Sequence, residues 1–314
     1  MCTAIRFTST DGELYFGRNC DWGVSFGEHP VAVPAGHLIE WAHLEPSESK
    51  HKIIGMGLVE GGFPSYFDAA NDAGLAVSDL YLPESTRFPE EPVEGKTNVT
   101  VGELPLWVTA NFATVAEVKE ALSDAAIVCA PGASSLFTLH WIVADAQQSI
   151  VIESTERGLE VHDDDVDVIT NEPDFQWHRT NLRNYILTTC EHPEPAHWGA
   201  ADINPVGHGQ GMLGIPGDYS PASRFVKAAY INTHYPAQES EEDNVVRAFR
   251  TLDSVAVPMG ASAMEDGGWD TTFYQAAYSG KTHTYYYTRY NEFGLHSVCL
   301  DEVDFGGTTD LVEL

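Results

Sequence analysis

Basic residues are scarce in this chain. Sixteen lysines and arginines stand against 47 aspartates and glutamates, a formal net charge of −31. Such a surface repels phosphate backbones, so no nucleic-acid partner is expected. An anionic substrate gains nothing from that field and has to be held by local arginines. Long apolar runs are absent too: no stretch of about 18 residues is apolar enough to span a bilayer. The N-terminus shows no basic-then-apolar leader. Both absences point to a cytoplasmic protein without membrane contact. The five cysteines, at positions 2, 20, 129, 190 and 299, form neither a metal-ligand spacing nor a disulfide framework. H-E-x-x-H does not occur, which disfavours a zinc peptidase. No metal and no cofactor is expected. Gly209-Gln210-Gly211-Met212-Leu213-Gly214 does satisfy G-x-G-x-x-G. No apolar strand precedes it, however, and Ile215-Pro216-Gly217 stands where a helix should begin, so a dinucleotide site is rejected.

Hydrophobic residues make up 43% of the 314 positions, ample for a sizeable core. β-Branched and aromatic runs at 2–8, 13–18, 30–33, 52–59 and 75–81 predict strands punctuated by Gly, Pro and Asp turns. Residues 103–112 have helical spacing. Thr114-Val115-Ala116-Glu117 is a capping box that opens a second helix through Leu122. Strands resume at 137–145 and 149–153, and Val166 to Pro173 ends a strand in a turn with Asn171 at its tip. His140 reads as a core or pocket-wall residue, and His162-Asp163-Asp164-Asp165 as a charged turn. Residues 175–185 predict a helix. Ser220-Pro221 caps another that carries Arg224, and residues 242–253 predict a further one. The last strands fall at 271–278, 282–288 and 295–298. Strands, helices, strands, helices, strands without a linker predict a single α+β domain over residues 1–314. The irregular stretch from about 190 to 219 is long enough to suggest a role in function or assembly.

The chemistry concentrates at the start. Cys2 follows the initiator Met1, and removal of Met1 places a thiol and a free α-amino group on one residue. That amine titrates near about 8 and can take the thiol proton. The strand at 2–8, the Asp11-Gly12 turn and the returning strand bring Arg18 and Asp21 back towards Cys2. A guanidinium there favours the thiolate, and a carboxylate holds the ammonium. Trp22, Phe26, Leu58, Phe63 and Tyr66, several in Gly- and Pro-rich surroundings, are candidate walls of an apolar pocket.

Cys2, Arg18, Asp21, Asn171 in Thr170-Asn171-Glu172-Pro173, and Arg224 in Ser220-Pro221-Ala222-Ser223-Arg224 occur in order over nearly the whole chain. In this the sequence resembles the choloylglycine hydrolase family, N-terminal-nucleophile hydrolases that include bile salt hydrolases and penicillin V acylases. The resemblance implies a four-layer αββα sandwich, two stacked antiparallel sheets flanked by helices. It implies hydrolysis of linear carboxamides by Cys2, with Arg18, Asp21, Asn171 and Arg224 as the other catalytic residues and Asn171 on the oxyanion. It also implies a homotetramer. Where bile salt hydrolases read Leu-Asn-Phe-Pro, this chain reads Leu80-Tyr81-Leu82-Pro83, closer to the penicillin V acylase side. The Leu82 backbone N–H remains as an oxyanion donor in that reading, and the Tyr81 ring alters the pocket. The leading expectation is deconjugation of glycine- or taurine-linked bile acids. The alternative is an acylase for penicillin V or for acyl amides such as acyl homoserine lactones. From another class, an inactive acidic ligand-binding homologue is opposed by all five retained positions.

Overall fold

The computed structural model describes residues 1–130, 138–265 and 267–314. In chain order the first strands are β1 (Cys2–Thr8), β2 (Leu14–Trp22), β3 (His29–Val33), β4 (Leu38–Ile39), β5 (Ser47–Glu48), β6 (Ile53–Glu60), β7 (Phe63–Asn71), β8 (Ala76–Tyr81) and β9 (Thr97–Thr100). Helices α1 (Leu104–Asn111) and α2 (Val115–Leu122) follow, then β10 (Ala125–Val128), β11 (Leu139–Ala144), β12 (Ser149–Thr155), β13 (Gly158–Asp163) and β14 (Val168–Ile169). Helix α3 (Phe175–Asn181) precedes β15 (Ala196–Trp198) and β16 (Ala201–Ile203), and α4 (Pro221–His234) and α5 (Glu241–Asp253) lead to β17 (Thr271–Ser279), β18 (Thr284–Arg289), β19 (His296–Cys299) and β20 (Val312–Glu313).

Two antiparallel sheets form the centre. One runs β14-β1-β2-β17-β18-β19, the other β13-β12-β11-β8-β7-β6-β3-β20. Cys2, Ala4, Phe16 and Tyr274 of the first meet Ile54, Met56, Ala70 and Ile142 of the second in the central core. On the far side of the eight-stranded sheet, Val31, Ile53, Val77 and Ile150 pack against Leu104, Val108, Val115 and Val118 of α1 and α2. Helices α4 and α5 cover the outer face of the six-stranded sheet, α4 against β1 and α5 against β2 and β17. This is the expected four-layer αββα sandwich.

The local signals act as physics requires. Gly12, at φ +88, makes the β1–β2 turn, and the two strands then pair from Thr8–Leu14 back to Cys2–Cys20. At α2 the Thr114 side chain accepts from the Glu117 backbone, and the Glu117 side chain accepts from the Thr114 backbone. The helix expected over 175–185 is α3 continued by a tighter turn at Leu182–Tyr185. The strand expected from 137 is β11; the start at Phe137 lies outside the described residues. The 190–219 stretch contains the small hairpin β15–β16.

Two expectations need correction. His162 and Asp163 close β13 rather than sitting in a turn, because they continue its pairing with Val151 and Ile150. Phe63 and Tyr66, expected as pocket walls in Gly- and Pro-rich surroundings, lie on the regular strand β7, because Gly61 and Gly62 (φ +61 and +87) turn β6 directly into it. A β-bulge between Met56 and Gly57 on one strand and Tyr66 and Asp68 on the other breaks the alternation that would have revealed the strand. Glycine is needed there: a Cβ at Gly55 would lie 2.0 Å from the Asp68 carbonyl oxygen.

Candidate active site

Cys2 and Cys20 face each other across β1 and β2, with Ala4 and Arg18 two residues along on the same side. That side faces the other sheet. Arg18 is 1% exposed and spans the gap between the sheets: Nη2 lies 3.0 Å from Cys2 Sγ, while Nη1 donates to the Phe67 carbonyl at 2.6 Å and to Asp79 Oδ1 at 3.1 Å. The Cys20 thiol beside it, then Arg18 and the terminal ammonium, hold the Cys2 thiol well below its usual range, against the upward pull of burial. The sulfur is therefore set up as a thiolate.

Asn19 and Asp21 point to the opposite face, towards the helices, as period-2 geometry demands. Arg224 comes up from α4 on that side and reads the backbone of Cys2. Its Nη1 donates to the Cys2 carbonyl at 2.5 Å and to Thr3 Oγ1 at 2.6 Å, and Nη2 donates to Asn171 Oδ1 at 2.7 Å. Asn171 Oδ1 also accepts from the Cys2 backbone nitrogen at 2.7 Å, and Asn171 Nδ2 donates to the Tyr81 carbonyl at 2.8 Å. Asp21 lies 3.5 Å from Arg224 Nη1 and accepts from the Thr272 hydroxyl. Burial raises its carboxyl to about 6, with Arg224 and the terminal ammonium pulling it down. The Met1 amine donates to the Asp21 carbonyl and lies 3.5 Å from Asp270. Thus Cys2, Arg18, Asp21, Asn171 and Arg224 converge on one strand end.

A family model described as linear amide C–N hydrolases, choloylglycine hydrolase family, matches residues 2–313. The chain belongs to that family. This choloylglycine hydrolase relative is 44% identical over 307 residues to the bile salt hydrolase/transferase of Bifidobacterium longum subsp. longum, covering 97% of this chain and 96% of that one. The crystal structure of the C2A mutant conjugated bile acid hydrolase from Clostridium perfringens superposes with a TM-score of 0.92 at 30% identity, covering 100% of this chain and 96% of that one. The penicillin V acylase of Pectobacterium atrosepticum is more distant, 25% identical over 274 residues, covering 81% of this chain and 67% of that one. As a choloylglycine hydrolase family member the chain is an amidase that cleaves linear amide C–N bonds.

Within this choloylglycine hydrolase fold, the candidate pocket residues separate. Trp22 packs edge-on against Tyr81 at 5.0 Å and tilted against Phe26 at 6.3 Å. Phe67 joins them, 5.7 Å from Phe26. The bulge in β7 turns both Phe67 and Asp68 towards the central core and leaves Tyr66 on the other side. Tyr66 is consequently not a pocket wall: it is 2% exposed, and its hydroxyl donates to the Val31 carbonyl. Phe63 stacks edge-on against Trp41 at the margin of the helix-side core. Leu58 is half-buried on β6 opposite Ser65. The Leu82 N–H, expected to face the oxyanion, donates to the Thr138 carbonyl at 2.7 Å instead, because the chain pairs on beyond β8.

Several residues escaped the sequence reading. Asp79 and Asp68 flank Arg18, at 3.1 and 3.8 Å, and Asp68 accepts from the Tyr274 and Tyr285 hydroxyls. Burial pushes the Asp79 carboxyl up to about 7. Alternation along β8 gave no signal for it, since Ala76 and Leu80 take the central face and Val77 the helix side. Behind Asn171, His178 Nε2 donates to the Asn171 carbonyl at 2.8 Å, and burial lowers its pKa to about 4, keeping the ring neutral. His140, expected as core or pocket wall, lies fully buried between Glu153 and the Thr170 carbonyl. Asn171 is thus braced on both sides of its own peptide unit. No spacing rule announces that brace.

Proposed function

We propose that this amidase hydrolyses glycine- and taurine-conjugated bile acids through Cys2 after Met1 is removed. The observation that carries the reading is Cys2 itself, with its sulfur 3.0 Å from Arg18 and its backbone nitrogen 2.7 Å from Asn171 Oδ1. Once Met1 has left, that nitrogen is the α-amine. Asn171 Oδ1 and the Asp21 carboxylate, whose Oδ2 has no hydrogen-bond donor in the present arrangement, are suited to hold it. The thiolate attacks the amide carbonyl, the α-amine carries the proton to the departing glycine or taurine, and water releases the bile acid from the thioester. Asn171 Nδ2 retains one hydrogen beyond its bond to the Tyr81 carbonyl, and in this reading it meets the oxyanion. Arg18 stabilises the thiolate, while Arg224 fixes the Cys2 carbonyl and Asn171 relative to each other. Trp22, Phe26, Phe67 and Tyr81 supply an aromatic rim for a rigid apolar acyl group.

The bile-acid relatives support that acyl group. Tyr81 favours a second reading, a flat aromatic acyl chain as in penicillin V or an acyl amide. Turnover of glycocholate, taurocholate and penicillin V, with intact mass to read the state of Met1, separates the two. Rapid cleavage of glycocholate and taurocholate is expected. Cleavage of penicillin V or acyl lactones alone would overturn the bile-acid assignment. A cytoplasmic location suits a nucleophilic thiol that needs a reducing compartment. We also propose a homo-oligomer, a tetramer, assembled through the 190–219 segment. That segment presents Trp198, Val206 and Leu213 at 76%, 86% and 83% exposure, an apolar face that a second copy would cover.

A further inference from the structure

Cys20 supports the Cys2 thiolate by its hydrogen bond but forms no bond to the amide substrate, and it is the direct cross-strand partner of Cys2. The ladder defines how close the two are. Asp21 N donates to the Met1 carbonyl at 2.7 Å, and the Met1 amine donates to the Asp21 carbonyl, so Met1–Asp21 is a hydrogen-bonded pair. Antiparallel pairs alternate, which makes Cys2–Cys20 a non-hydrogen-bonded pair with Cα atoms about 4.5 Å apart and side chains on one face. Disulfides span Cα separations of about 4.4–6.8 Å. The next hydrogen-bonded pair, Thr3–Asn19, keeps this register when Met1 is removed.

The two thiols also differ in character. Arg18 stands 3.0 Å from the Cys2 sulfur. Burial, then the neighbouring Cys2, raises Cys20 and keeps it a neutral thiol. Thiolate beside thiol is the pairing of an attacking and a resolving cysteine.

We propose that Cys2 and Cys20 form a reversible disulfide when the protein meets a hydroperoxide, with Cys20 as the resolving thiol that protects the nucleophile from irreversible oxidation. The Cys2 thiolate attacks the hydroperoxide oxygen, the O–O bond breaks, and the alkoxide leaves as an alcohol after taking a proton. Cys2 becomes a sulfenic acid. The Cys20 sulfur then attacks the Cys2 sulfur, the S–O bond breaks, and water leaves with the Cys20 proton. In total two thiols lose two electrons and the peroxide gains them. A dithiol reverses the bond by exchange. Without Cys20 the sulfenic acid has no adjacent partner on the strand and advances to sulfinic and sulfonic acids.

The inference rests on Cys2 being the reactive thiolate, but not on the identity of the amide substrate. The test treats the wild-type protein and Cys20→Ala with hydrogen peroxide, then with dithiothreitol, and follows intact mass, a non-reducing peptide map and Cys2 alkylation. Wild type should lose two hydrogens, yield one linked peptide containing Cys2 and Cys20, and recover full alkylation and activity with dithiothreitol. Cys20→Ala should gain two or three oxygens at Cys2 and recover neither. Oxygen gain in the wild type without the link would overturn the proposal. So would a link from Cys2 to Cys129, Cys190 or Cys299, or equal recovery of the variant. The mass readout keeps these outcomes distinct from a failed substrate assay.

Discussion

Arg18 is asked to serve three anions in one buried place: the Cys2 thiolate, Asp79 and Asp68. Asp79→Asn tests how they share it. The amide keeps the shape and an oxygen for Arg18 Nη1, and it removes one charge. The Asp79 carboxyl rises from an ordinary 3.8 to about 7, burial outweighing Arg18. An acid raised on folding binds an extra proton in the native state between those two values. Stability is therefore lost as pH climbs from about 4 to about 7, and above that window the ionised group costs about 4 kcal/mol. The competing effect is the uncompensated charge left when one partner of a buried pair is removed, about 3–5 kcal/mol. Arg18 avoids it, because Asp68 at 3.8 Å and the thiolate at 3.0 Å remain. The net expectation is that Asp79→Asn stabilises the fold at pH 7 by roughly 2–4 kcal/mol and flattens the decline between about pH 4 and 7. Freed of one competitor for Arg18, the Cys2 thiolate should also persist to lower pH. Urea denaturation at several pH values and the pH profile of iodoacetamide alkylation at Cys2 read both effects. A variant that is destabilised at pH 7, or one that alkylates only at higher pH, would refute this account of the Arg18 site.

Replacing Asn171 with Ala should lower kcat by about 10²–10³ at saturating substrate; an effect confined to KM would remove it from the oxyanion and from the positioning of Cys2. Arg224→Lys cannot span the Cys2 carbonyl, Thr3 and Asn171 with one ammonium, and it forfeits at least one charge-assisted bond of about 1.5–3 kcal/mol. It should therefore keep the fold and lose at least tenfold in kcat/KM, measured beside a melting curve. Cys2→Ser should fold as the wild type does and lose most turnover, and wild-type activity would end the nucleophile assignment. The Trp198→Ser, Leu213→Ser double variant should shift the mass in solution towards the monomer without a loss of melting cooperativity; an unchanged mass would place assembly elsewhere.

Part of this protein is written in short-range patterns. The hairpin that carries Cys2, Arg18 and Asp21 needs only a period-2 run, an Asp-Gly turn and a returning strand, so both its register and its faces can be counted from sequence. The capping box of α2 and the Ser220-Pro221 start of α4 are equally local. Asn171 and Arg224 were legible only through the family resemblance, because 53 and 222 positions separate Arg224 from its partners Asn171 and Cys2. Periodicity tells which face a side chain takes, but not which element covers that face. That is why Asp79 and Asp68, brought to Arg18 from the opposite sheet, and His178, brought behind Asn171 from α3, escaped notice. The bulge in β7 took Tyr66 away from the expected pocket wall and turned Phe67 to the central side instead, since one extra residue reverses every inward and outward assignment beyond it. The Leu82 N–H is likewise committed to Thr138, a choice made by strand pairing and invisible in the residue type. The sequence by itself determined the candidate nucleophile, the arginine beside it and the elements that carry them. Tertiary packing alone decided which carboxylates share that arginine, which aromatic rings cluster beside Trp22 and which backbone donors stay free, because each depends on surfaces that meet only when the chain packs.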